Sequence, residues 1–512
     1  MRRSHRFLKN LSVGFISRGW QIGLVLMTTP YIVNKMGTDA YGLLSIILTM
    51  VGYFNLADFG MGNTVVKYLS EYLARKDNEM VKKLVRTAFV YYGIVGLTAS
   101  LLIAILSPVL VSRVIMIPAG LRQTAVQAFY VTAVTFFFHM MVTLLTSILK
   151  GYQRFELLAG RDIGIYTLST VLTVILLSLG YGLLEIVMLN LFISLVSMAM
   201  FFFVVKRLLG TIRIRPKWDR EAFYILFQFS KWKFVGGWSS KFAYTFDKVI
   251  ISSILGVSQV TFFIIPLNLA QYVGMKLIGT INQVLYPLMS ESAAIDDKKN
   301  RKELYFRSLK WIFILLSPAV LYLVVFGDKF LYYWIGEEFS KKGTLVLWIL
   351  TLSYFASALV YNDVSYFEAM GNAKLPSLTS LASAMIITSL NLLLLPVFGI
   401  VGAALAFAAA AFLTGIYIKH KTLYGMLDSN WREFFKAVIL QPLSAILASA
   451  AFLMPLRLFG ANKVYYFSLV PVTGIIILLS FYFFRCFDYR DREIISSFYR
   501  RVRSKRIAVD VS

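Results

Sequence analysis

Residues 184–205 read LEIVMLNLFISLVSMAMFFFVV, with Glu185 as the only charge. A helix this long spans the roughly 30 Å hydrocarbon core of a bilayer. It follows a turn, Leu179-Gly-Tyr-Gly182, and stops at Lys206-Arg207. Fourteen runs of about this length recur along the chain: 11–33, 43–65, 87–111, 123–148, 163–180, 184–205, 234–255, 260–285, 311–326, 344–368, 376–396, 401–418, 437–456 and 464–484. The expected fold is therefore all-α and integral to the membrane, with about fourteen transmembrane helices. So little lies between them that no catalytic domain fits outside the bilayer. The gaps at 181–183 and 397–400 predict tight helical hairpins, with Gly and Pro396 ending the helices.

Composition agrees. Hydrophobic residues make up 58% and charged residues 15%, against about 25% charged in a soluble domain. The net charge of +26 would suit nucleic acid, but the basic residues flank apolar runs, where they set topology and meet anionic lipid. No nucleic-acid partner is expected. Cys486 is the only cysteine, and His5, His139 and His420 have no ligand spacing, so neither a thiolate cluster nor a zinc site is expected. The basic N-terminus lacks a signal-peptide cleavage site before its apolar run, which reads as a retained first span.

The loops alternate in charge. With the N-terminus in the cytoplasm, cytoplasmic segments hold 40 Lys and Arg, including eight in 206–233 and four in 419–436. External segments hold eight: Lys35, Arg113, Arg122, Lys329, Lys341, Lys342, Arg457 and Lys463. This asymmetry predicts a cytoplasmic-membrane protein with both termini inside. Glu337-Glu338, beside Lys341-Lys342 in the external loop 327–343, reads as solvated surface.

Landmarks repeat at an offset of about 219 residues. Met36-Gly-Thr-Asp-Ala-Tyr-Gly42 matches Leu255-Gly-Val-Ser-Gln-Val-Thr261, so Gly37 corresponds to Gly256. The hairpin of spans five and six matches that of spans eleven and twelve. We expect a six-helix bundle over 1–205, a linker over 206–233, a second six-helix bundle over 234–418, two extra helices over 419–484 and a basic tail over 485–512. The two bundles would face a central cleft. In the linker, Phe223, Leu226 and Phe227 follow Pro216-Lys-Trp-Asp-Arg-Glu221 at helical spacing and predict an interfacial helix. Ile494, Ile495, Phe498 and Val502 predict another in the tail.

Pro30-Tyr-Ile-Val-Asn-Lys-Met-Gly37, Ala40-Tyr-Gly42 and Tyr53-Phe-Asn-Leu-Ala-Asp-Phe-Gly60 resemble the opening of the polysaccharide flippases, the O-antigen-type branch of the multidrug/oligosaccharidyl-lipid/polysaccharide exporter superfamily. Lys150-Gly-Tyr-Gln-Arg-Phe155 and Asp247-Lys-Val-Ile-Ile-Ser-Ser-Ile-Leu-Gly256 are similar to later landmarks of that family. The resemblance covers nearly the whole chain, and the two extra helices favour the polysaccharide branch over the multidrug branch. It implies translocation of a polyprenyl-diphosphate-linked or similar oligosaccharide by alternating access, with no catalytic residue. The implied partners are the lipid-linked oligosaccharide, membrane lipids and a polysaccharide polymerase or export machinery.

Ionisable residues inside spans mark function or pairing. The cations are Arg18, Lys241, Lys248 and Lys276; the acids are Asp58, Asp247 and Asp363, with Glu368 at a span end. Lys241, Tyr244 and Lys248 share a helix face, and Tyr272 and Lys276 share another near Gln271. The resemblance places these spans and the first along the cleft. Arg offers a fork and Lys a point charge to a diphosphate. Tyr244, Tyr272 and Gln271 offer rings and hydrogen bonds to sugars. Rival roles stay open: Arg18 at the interface, an Asp247–Lys248 structural pair, Asp58 as a helix brace, and Asp363 and Glu368 as partners of Arg or Lys rather than sites for coupling to H+ or Na+. No Walker loop is present, so no nucleotide cofactor is expected. A cation-coupled multidrug antiporter would show mostly acids in the cleft. A membrane glycosyltransferase or polymerase would show large external loops.

Overall fold

The computed structural model describes the backbone of residues 2–54, 58–209, 216–228, 247–276, 298–370, 372, 374–459 and 462–487. Among these residues the secondary structure is helical throughout, with no strand. Among the described residues, nine helices are long and apolar enough to cross a membrane. The fifth sequence span meets a shorter apolar helix, Ile163–Ser178. The helices fall into two compact units, Met1–Tyr272 with Ala373–Thr414, and Val273–Asn372 with Gly415–Ser512.

The first unit begins with α1 (Arg2–Phe54), bent at Gly37 into two arms. Then come α2 (Met61–Ala74), α3 (Asn78–Val109), α4 (Arg122–Gly151), α5 (Phe155–Ser178) and α6 (Leu183–Leu209). A short linker helix, α7 (220–228), precedes α8 (Asp247–Leu255) and α9 (Val257–Gln271), which leads into a π-turn over Tyr272–Lys276. The core joins Leu69 of α2, Val85 and Tyr92 of α3, Phe136 and Leu144 of α4 and Phe201 of α6.

Gly37 and Gly256 share a backbone geometry, with φ/ψ of 79°/164° and 89°/165°. A side chain resists that region, so glycine is required at both bends. The bends also pack together. Thr261 Oγ1 donates to Thr38 O at 2.6 Å and Ser258 Oγ to Thr38 Oγ1 at 3.1 Å. Gly42 permits the contact, since a Cβ there would sit 1.9 Å from the Val257 carbonyl oxygen.

The second span, expected over 43–65, is not one helix. Phe59 and Gly60 adopt positive φ inside it, and α2 begins only after them, at Met61. Asp58 bridges the break. Its carboxylate accepts Gly62 N at 3.1 and 3.2 Å, covering an amide that the first turn of α2 leaves open, and it also accepts the Tyr92 hydroxyl. Asp58→Ala strips an acceptor from a fully buried tyrosine and should cost about 1–3 kcal/mol. Asp58→Asn, which keeps a carbonyl oxygen, should cost less. Thermal unfolding of the purified protein measures both; equal melting of Asp58→Ala and wild type would remove the brace.

The linker helix is docked on the unit. Ala222 and Leu226 are fully buried, whereas Phe227 and Trp218 stay 45% exposed, so of the expected Phe223/Leu226/Phe227 face Leu226 is buried, Phe223 is half-buried and Phe227 is turned out, and the seam runs along Ala222 and Leu226. The small Ala222 lets the helix approach α3. Asp219 N donates to Thr87 Oγ1 at 3.2 Å, and Lys83 lies 3.1 Å from Glu221, which holds the lysine above its usual pKa. The tail helix expected over 491–502 lies outside the described residues.

The second unit contains α10 (Lys298–Ile335) and α11 (Glu337–Ala369), separated by Gly336 alone. The external loop expected over 327–343 is thus helix. Glu337–Lys341 and Glu338–Lys342 are exposed i,i+4 pairs at 2.6 and 2.7 Å. In the first unit, α12 (Lys374–Phe398) keeps Pro396 inside its last turn, and Gly399, at φ 58°, makes the hairpin instead. Next, α13 (Ile400–Met426) begins in the first unit and ends in the second. It is followed by α14 (Gln441–Leu453) and α15 (Lys463–Phe483).

The connections gather by the face the charge reading gave them. In the first unit Ser70 donates to Gly151 O at 3.0 Å, joining segments 66–86 and 149–161, and Lys83 meets the linker. Val257 N donates to Met116 O at 3.3 Å, joining segments given the opposite face. In the second unit Lys302 meets Glu433 at 2.6 Å on one side, and Arg457 meets Asp328 at 2.5 Å on the other.

Candidate functional site

Lys248 stands on α8, 9% exposed, beside Asp247 at 7%. The two form no ion pair. Asp247 Oδ1 instead accepts the Lys248 backbone N at 2.8 Å. The ammonium reaches across to the second arm of α1, where Nζ donates to Thr49 Oγ1 at 3.3 Å. A lysine has three donors, and among the described residues this is its one hydrogen bond. A buried ammonium this thinly partnered is costly unless an anion joins it.

Three tyrosines form a second feature of the same unit. Tyr41 of α1, Tyr166 of α5 and Tyr272 of the π-turn lie within electrostatic reach of one another, and all three are half-buried. Trp20 Nε1 donates to Thr167 Oγ1 at 2.8 Å, which pins the first arm of α1 to α5 beside Tyr166. Gln271, half-buried, precedes Tyr272. Rings and hydroxyls together suit a sugar, which has an apolar ring face and a hydroxyl edge. Sequence reasoning named Tyr272 and Gln271 but missed Tyr41, Tyr166 and Thr49. Tyr41 stood in the quoted Ala40-Tyr-Gly42 motif; Tyr166 and Thr49 carried no signal.

Lys241 and Tyr244 lie outside the described residues. Arg18 lies in α1 and Lys276 ends the π-turn, but their side chains are likewise outside the description. The predicted Lys241–Tyr244–Lys248 stripe is therefore represented by Lys248.

In the second unit, Asp363 of α11 is fully buried against Lys419 of α13, 3% exposed, at 2.5 Å. Lys419 Nζ also donates to Tyr305 Oη at 2.8 Å and Leu359 O at 2.9 Å, and Tyr305 donates to Asp363. The Phe434 ring lies 5.1 Å from the ammonium. Asn362 Nδ2 donates to Ser308 Oγ at 2.7 Å alongside. Lys419 had been assigned to the cytoplasmic segment 419–436, but α13 runs on to Met426 and carries it inward. Glu368 is exposed near the end of α11. Among the described residues no group of three or more His, Cys, Asp or Glu could hold a metal ion.

The family described as "Polysaccharide biosynthesis protein" matches residues 36–342. A candidate O-antigen transporter of Shigella flexneri is 22% identical over 417 residues, 80% of this chain and 92% of that protein. The uncharacterized membrane protein EpsK of Bacillus subtilis is 22% identical over 468 residues, 86% of this chain and 87% of that one. Among solved structures, the lipid II flippase MurJ in an inward closed conformation superposes with a TM-score of 0.67 at 14% identity, over 94% of this chain and 99% of that one. An inward-facing multidrug-resistance MATE transporter gives 0.64 at 13% identity, over 80% and 94%. Both likenesses concern the fold.

Proposed function

The chain belongs to the polysaccharide biosynthesis protein family, and on that premise we propose that it translocates a lipid-linked oligosaccharide across the cytoplasmic membrane by alternating access. It acts as a transporter, not an enzyme. Both termini lie in the cytoplasm, as the loop charges require. The observation that carries the reading is Lys248, a buried ammonium with one hydroxyl partner among the described residues, in the same unit as a tyrosine group that suits sugars. The head group of a polyprenyl-diphosphate-linked glycan brings an anion to Lys248, whose ammonium makes no ion pair among the described residues. Arg18, Lys241 and Lys276, which the sequence names, are further candidates for head-group binding, and the lipid tail stays in the bilayer while the head group crosses. Coupling to H+ or Na+, and delivery to a polysaccharide polymerase or export machinery, belong to the same proposal.

The test is flipping of lipid-linked oligosaccharide in liposomes holding the purified protein. Loss of a charge-assisted contact, about 1.5–3 kcal/mol, predicts a rate about 10- to 100-fold lower for Lys248→Ala, at unchanged membrane abundance. Full transport by the Lys248→Ala/Asp247→Ala double variant would instead make the lysine a structural partner of Asp247.

A further inference from the structure

We propose that the first unit carries a sugar-binding subsite on its extracytoplasmic face, a cavity of about 450 Å³ apart from Lys248 and the tyrosine group. The assignment to that face rests on the topology proposed above. Three segments meet there: the bend of α1, the start of α4 and the α5–α6 hairpin. All are connections that the alternating loop charges give to the outside. The volume lies within the usual range of small-molecule sites, about 300–1,000 Å³.

The lining has two opposed polar groups. Lys35 is exposed and, among the described residues, has no ion-pair partner. Glu185 uses Oε2 to accept Gly182 N at 2.8 Å, which fixes the carboxylate at the start of α6 and leaves Oε1 for a ligand. No ion pair joins Lys35 and Glu185, although both line one cavity. A cationic donor and a fixed carboxylate acceptor that do not neutralise each other suit a neutral ligand offering hydroxyls that both accept and donate. Tyr181, 51% exposed, supplies a ring at the hairpin, and Gly180 and Gly182 keep its flanks low. Leu184 and Met36 give the cavity apolar wall. An apolar face beside a hydroxyl-binding pair matches one pyranose ring. The subsite would hold a neutral sugar residue of the glycan once it has crossed.

Saturation-transfer NMR of the full-length protein in lipid nanodiscs, with methyl glucoside and maltose as probes, tests the proposal. Saturable binding to wild type is expected. Tyr181→Ala should weaken it about fivefold through the lost ring contact, and Lys35→Ala about tenfold through the lost charged donor. Glu185→Gln keeps a carbonyl oxygen for Gly182 N and so preserves the hairpin, and it too should weaken binding. Lys329→Ala, in the second unit, is the control and should bind like wild type. Absence of saturable binding to wild type overturns the subsite, as does wild-type affinity in both Tyr181→Ala and Lys35→Ala; the ring is then a lipid-interface anchor. Flipping assayed on the same preparations separates the two proposals. Sugar binding that depends on Tyr181, in a wild type that does not flip, would sink the transport reading alone. Flipping without sugar binding would sink the subsite alone.

Discussion

Lys419→Met should unfold the second unit far more readily than wild type, at a cost of about 3–5 kcal/mol. The substitution removes one half of a fully buried pair and leaves the Asp363 carboxylate facing Tyr305 alone. It also frees Leu359 O and empties the space beside the Phe434 ring. A buried pair is often worth little relative to apolar residues of the same shape, while half a pair is expensive. The Lys419→Met/Asp363→Leu double variant should therefore recover most of the lost melting temperature. Tyr305→Phe, which deletes one hydroxyl, should cost only about 1–2 kcal/mol. Thermal unfolding of purified protein reads all three. If Lys419→Met melts like wild type, the pair is not a structural staple. A coupling role for Asp363 has a different signature: in the stable double variant, transport would lose its response to an imposed H+ or Na+ gradient. Unchanged gradient dependence there would confine Asp363 to structure.

The sequence was most legible where one physical requirement acts alone. Span length and loop charge follow from the bilayer, so the helical class and the grouping of connections could be read directly. Gly37 and Gly256 were paired by motif, and their shared positive φ supplies the reason. Legibility failed where two requirements compete. Apolar residues continue through 43–65, yet positive φ at Phe59 and Gly60 breaks the helix there and gives Asp58 its work at the start of α2. Lys419 looks like a loop cation because it follows an apolar run; only the helix packing of α13 shows it turned inward toward Asp363. For the candidate site, Lys248 and Tyr272 stood out as polar groups in apolar runs. Tyr166 and Thr49 did not, because tyrosine and threonine are common in spans and their meeting depends on how α5 and α1 pack.

Gly42→Ala should be the most damaging single-methyl change in the first unit. The added Cβ would lie 1.9 Å from the Val257 carbonyl oxygen and 2.9 Å from Thr261 Oγ1. Backbone atoms cannot rotate aside as a flexible side chain can, so α1 and α9 must separate. Separation strains the Thr261–Thr38 and Ser258–Thr38 hydrogen bonds that hold the two bends together. Overpacking alone costs about 1–3 kcal/mol, and each weakened hydrogen bond adds about 1 kcal/mol. Two other glycines separate sterics from backbone freedom. Gly37 has open space around its Cβ position but φ of 79° and ψ of 164°, so Gly37→Ala should cost about 1–3 kcal/mol through conformation only. Gly93 has open space and helical φ within α3, so Gly93→Ala should be neutral or slightly stabilising. The expected order of folded yield, read by size-exclusion chromatography of detergent extracts, is Gly93→Ala, then Gly37→Ala, then Gly42→Ala. A Gly42→Ala protein as abundant as Gly93→Ala would mean that α1 and α9 are not held together at these bends. The packing of the two motif-matched glycine bends would then be dispensable, and their shared geometry would reflect only the local need to turn the chain.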